Sequence, residues 1–94
     1  MVAIANESVQ QLKQEDAGVA NVLEQIIALA REKGAFTAEQ STELLVAVDA
    51  VAKEPSQENK GKLLDKMKAL AGVVSVASAA TKLPELIAVV SSWF

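Results

Sequence analysis

Apolar residues in the first third of the chain recur at three- and four-residue intervals. Val9, Leu12, Val19, Leu23, Ile26 and Ala30 fall on one side of a helix wound at 3.6 residues per turn. Asn6, after the apolar Val2-Ala3-Ile4-Ala5, offers an N-cap, and Gly34 after Arg31-Glu32-Lys33 offers a stop, because glycine enters the left-handed backbone region without a Cβ penalty. Asp16 falls in the apolar row. It either caps a second helix or sits inside a long one, fixing register at a cost in stability. The spacing predicts one helix over about 7–33. Thr37-Ala38-Glu39-Gln40 has the form of a capping box. It opens a helix over 38–53 with Leu44, Leu45, Val48, Val51 and Ala52 on its apolar face, ending before Pro55 because a residue preceding proline avoids helical backbone. The continuous run from Leu45 to Val48 also fits a strand, but the alanines and the cap favour helix.

After the turn at Pro55–Asn59, Ser56 or Asn59 is placed to cap a third helix. Leu63, Met67, Leu70, Val74 and Ala77 form its stripe, which extends the expected helix over 57–80 despite Gly61 and Gly72. Pro84 suits the first turn of a fourth helix over 84–93, with Glu85 near its positive end. Leu86, Ile87, Val90, Trp93 and Phe94 give that helix an apolar side. The expected fold is all-α: one small bundle of three longer helices plus a short C-terminal one.

Composition changes what holds such a bundle together. Alanine supplies 17 residues and valine 12, and the aromatics are Phe36, Trp93 and Phe94. An alanine buries little, whereas a buried leucine or isoleucine contributes about 1.5–3 kcal/mol, so close approach of helices matters more than bulk. In a chain of 94 residues the stability margin is thin, and a partner subunit would add to it. Ala71, Ser75 and Ala79 recur every four residues, a spacing that lets two helix backbones approach inside a bundle, at a subunit interface or in a bilayer. The charge-free run from Ala69 to Thr81 holds 13 residues, short of the ~20 a spanning helix needs. The start, MVAIANESVQ, has neither the basic region nor the apolar run of a secretory signal, so the expected location is the cytoplasm, with membrane association as the alternative.

Charge is uneven. Residues 1–58 carry four basic and ten acidic side chains, while residues 59–94 carry five basic and two acidic. That asymmetry points to head-to-tail self-association, an acidic partner or an anionic membrane surface, against the plain alternative of solvated faces. Lys60, Lys62, Lys66 and Lys68 precede the apolar run and are the candidate contacts for an anionic partner or lipid. Nucleic acid is disfavoured, since the lysine cluster has no aromatic side chain for stacking. The chain has no histidine and no cysteine, which removes the commonest general base and the thiolate ligands. No phosphate-binding glycine loop, calcium loop or nucleophile elbow is present, so the expectation is no enzymatic activity, no catalytic or metal-binding residues, no cofactor and no small-molecule substrate.

Residues 43–94 resemble a helical tail that ends many bacterial proteins, some of them associated with phage defence and abortive infection. The likeness rests on Glu43-Leu44-Leu45, Ala52 with Pro55, Asn59-Lys60, Leu63-Leu64, Met67, Leu70 and Ala71-Gly72. It implies an accessory or assembly module and carries over no catalytic residue. Read as free-standing, the chain departs from that pattern by having no effector domain attached, so it is either the partner of an effector or a small helical protein. The expected function is a non-enzymatic interaction or self-assembly module whose partner is itself or another protein. Its expected interface combines Leu63, Met67, Leu70, Ala71, Val74, Ser75 and Ala79 with Leu86, Val90, Trp93 and Phe94. The alternative is a membrane-active protein, a pore former or toxin, using the same apolar C-terminal half.

Overall fold

The computed structural model describes residues 2–32 and 34–93, with side chains from Ala5 onward. Among them the chain forms five α-helices and no strand: α1 (Val2–Lys13), α2 (Ala17–Ala30), α3 (Ala38–Lys53), α4 (Gln57–Ala71) and α5 (Ala77–Ser91). Helices α2, α3, α4 and α5 form a ring in which each packs on the next and α5 returns to α2. α1 lies outside that ring, against α2 and α3.

The helix expected over 7–33 is two helices. Asp16 is the cap, its carboxylate accepting a hydrogen bond from the Val19 amide at 3.2 Å. Asn6 is not a cap; it lies within α1. The cap itself supplies the reason, since the Asp16 carboxylate serves a new helix start and Gly18 weakens a continuous helix. Breaking at Gln14–Asp16 folds Val9 and Leu12 of α1 over the same interior that receives Leu23 and Ile26 of α2. α2 then ends at Ala30, ahead of Gly34, which takes φ 82° in the turn to α3.

α3 follows its sequence signals. The Gln40 amide donates to Thr37 Oγ1 at 3.1 Å while the Thr37 amide donates to Gln40 Oε1 at 2.9 Å, the reciprocal box expected there. The helix stops at Lys53, and Leu45–Val48 is helical rather than extended. Ser56 caps α4 through the Asn59 amide at 3.2 Å. Asn59 instead closes the end of α3, its Nδ2 donating to the carbonyls of Glu54 at 2.8 Å and Ala50 at 3.2 Å.

The second correction falls at the end of α4. The helix expected over 57–80 stops at Ala71, and the one expected over 84–93 begins at Ala77. Gly72 and the β-branched Val73-Val74 and Val76 are weak helix formers, so the chain turns there. Pro84 therefore lies inside α5, not in a first turn, and Glu85 lies mid-helix. Proline removes the amide that would serve the Ala80 carbonyl, but Ala80 and Pro84 both face solvent, where water replaces it. Ser78 at the start of α5 donates to the Glu32 carboxylate beyond α2, tying that end down in place of a side-chain cap.

The interior is aliphatic. Leu23 and Ile26, Leu44 and Val48, Leu63 and Met67, and Leu83 and Val90 are supplied in pairs by the four ring helices and are fully buried. Ser8 is a buried polar group on α1; its Oγ donates to Asp49 Oδ1 of α3, and Asp49 Oδ2 pairs with Lys53 at 3.1 Å.

Candidate interaction face

Most of the apolar residues assigned to an interface from sequence are used inside the chain. Leu63, Met67, Leu70, Ala79, Leu86 and Val90 are all buried. Ala71, Val74 and Trp93 are half-buried against the same core. Ser75 is exposed in the α4–α5 connection, and Phe94 lies outside the described residues. Ala71, Ser75 and Ala79 do not form a helical stripe, because Ala71 ends α4, Ala79 belongs to α5 and Ser75 lies between.

The lysine cluster also divides. Lys60 turns toward the C-terminus, its Nζ donating to the Trp93 carbonyl at 2.7 Å. Lys62 lies 3.7 Å from Glu58 one turn earlier, and Lys66 reaches across to Glu43 of α3 at 3.6 Å. Lys68 is exposed. The four do not present one cationic surface, and the acidic and basic parts of the sequence meet within the fold at the Glu43–Lys66 pair.

What remains open is a groove of about 380 Å³ between α3 and α4. The two helices run antiparallel: the Glu43–Lys66 pair marks one end and the Asn59-to-Ala50 hydrogen bond the other. The floor is Val46, Ala47 and Ala50, and the walls are Glu43, Lys62, Asp65 and Lys66. Val46 is 56% exposed. Glu39, Glu43, Val46, Ala50 and Lys53 follow a 4-3-4-3 spacing, which puts them in one row on the outer side of α3. The sequence holds the signal for this row, since Val46 falls off the stripe of Leu44, Leu45, Val48, Val51 and Ala52. The apolar C-terminal run drew the interface expectation away from it. A second groove, about 330 Å³ between α2 and α5, is edged by Gln25, Glu32, Ser78 and Lys82.

A hydrogen bond from Lys13 holds the Glu24 carboxyl below its ordinary value, with the Lys13 charge and a Gln10 hydrogen bond acting the same way against some desolvation. The Lys13–Glu24 contact, 2.8 Å, joins α1 to α2. Among the described residues no group of acidic side chains is placed to hold a metal ion, and no helix is long and apolar enough to cross a membrane. No family model, curated protein or solved structure matches the chain.

Proposed function

We propose that the chain is a non-enzymatic helical protein–protein interaction module and that its contact face is the α3–α4 groove. One observation carries this reading: a carbon-rich floor centred on the half-exposed Val46, walled by charges of both signs, in a molecule whose other large aliphatic side chains are mostly turned inward. Apolar contact at the centre with charged groups at the rim is the layout of a modest protein interface. The likeness of residues 43–94 to bacterial defence-associated tails adds that such a module would serve as an accessory or partner of an effector.

Light scattering coupled to size-exclusion chromatography, with and without vesicles containing phosphatidylserine, tests this. A discrete oligomer, or a monomer that ignores the vesicles, is expected. A monomer that moves onto the vesicles would overturn the reading in favour of a membrane-active protein. That alternative would have to draw its apolar surface from Leu63, Met67, Leu86 and Val90, all now buried.

A further inference from the structure

Building on the interaction role just proposed, we infer that the occupant of the α3–α4 face is a second copy of this chain, docked about a two-fold axis that crosses α3 at Val46. The outer row of α3 begins with Glu39, ends with Lys53 and has Val46 midway, seven residues from each. Seven residues of helix span about 10.5 Å. A copy turned by 180° about an axis lying across the helix at Val46 sets the two α3 helices antiparallel. Val46 then meets Val46 of the partner subunit, and Glu39 meets Lys53 of the partner subunit at both ends, the exposed Lys53 side chain leaving its one-turn contact with Asp49 to do so.

The same rotation places a second set of charges. Because α3 and α4 are antiparallel, the axis crosses α4 between Lys62 and Asp65, both exposed. Lys62 then meets Asp65 of the partner subunit in place of its long one-turn contact with Glu58, and reciprocally. Rotation thus pairs opposite signs at four places and a carbon floor at the centre, an isologous arrangement in which one patch complements itself. Any partner of a single charge sign, such as an anionic lipid surface, a nucleic acid or a basic peptide, would meet repulsive groups among the attractive ones. The small side chains of Ala47 and Ala50 leave room for the approaching helix. The face is two helices wide and about 24 Å long, so about 500 Å² per copy, below the ~800 Å² of an ordinary stable interface. The dimer is accordingly weak, with a Kd in the micromolar range or above, and it weakens as salt screens its charge pairs.

Sedimentation velocity of the intact chain up to about 1 mM, at low and high salt, gives the self-association constant. A concentration-dependent dimer is expected, with Val46→Asp monomeric and unchanged in far-ultraviolet circular dichroism. Glu39→Lys and Lys53→Glu should each weaken self-association by about tenfold, and an equimolar mixture of those two variants should form a heterodimer near wild-type strength, because each copy then offers what the other lacks. A wild-type monomer throughout the range, a dimer indifferent to Val46→Asp, or a mixture with no rescue would overturn the inference. A wild-type monomer that also stays off vesicles sinks only the two-fold pairing and leaves a different protein as the partner, whereas movement onto vesicles sinks the interaction role as well.

Discussion

Asn59 shows how one side chain can serve two helices. Its own amide is the donor that the Ser56 cap receives at the start of α4, while its Nδ2 donates to the Ala50 and Glu54 carbonyls that end α3. Asn59→Ala removes two donors from carbonyls at a helix end and leaves the cap intact. The expected loss is about 1–2 kcal/mol, read as a lower urea midpoint with an unchanged denaturant slope. Glu24 is a different case, because it is at the surface and its role is read from titration rather than from stability. The hydrogen bond from Lys13 lowers its folded pKa relative to the unfolded chain. The stabilisation is present above the unfolded carboxyl pKa and is lost as pH falls through the folded one. Lys13→Gln should move the Glu24 midpoint upward in a carboxyl NMR titration; an unmoved midpoint would mean that the α1–α2 ion pair does not persist in solution.

Helix boundaries separate what was legible in the sequence from what was not. α3 matched from 38 to 53 because both of its ends are written in local chemistry, a reciprocal Thr37–Gln40 box and a proline after the stop. The start of α4 matched for the same reason, at Ser56. The breaks inside 7–33 and 57–80 were missed because apolar spacing continues across them: Leu12 and Val19, or Leu70 and Val74, keep a helical interval whether or not the chain turns between them. Local chemistry decides the turns, through the Asp16 cap at the first break and Gly72 with its β-branched neighbours at the second, and apolar spacing does not register either. Pro84 misled in the opposite direction, since proline in a first turn and an exposed proline within a helix look alike in sequence. Pro84→Ala tests the interior placement. It restores a donor to the Ala80 carbonyl and removes a poor helix former, against some added freedom in the unfolded chain, so stability should rise by about 1–2 kcal/mol. A higher melting temperature in calorimetry is the expected sign, and a fall would place Pro84 where its fixed φ is needed. The proposed contact face was only faintly legible, for a related reason. Much of the apolar C-terminal run closes the ring, although Val73 and Val89 stay exposed, so the strongest signal in the sequence marks mostly core, and the α3–α4 face is marked by Val46, a valine out of phase with its stripe.

The ring of α2, α3, α4 and α5 makes a claim about the whole molecule that no single helix can make. Each of these helices places two or more fully buried side chains in one interior, and α5 reaches α2 at one side and α4 at the other. Removing α5 would uncover the sides of α2 and α4 that it packs on, which disfavours an intermediate with the other helices in place. Unfolding should therefore be all-or-none, as for most small domains. Trp93 provides the test, since it follows α5, packs half-buried against the core and is the only tryptophan in the chain. Its fluorescence reports on the C-terminal end, while far-ultraviolet circular dichroism averages over all five helices. The two denaturant transitions are expected to superimpose, with the same midpoint and slope. An earlier fluorescence transition would mean that α5 leaves while the rest stays folded, and a detachable C-terminal helix is what the membrane-active alternative requires. Coincident curves tie Leu83, Leu86 and Val90 to the fold itself and remove the detachable helix that the membrane-active alternative needs.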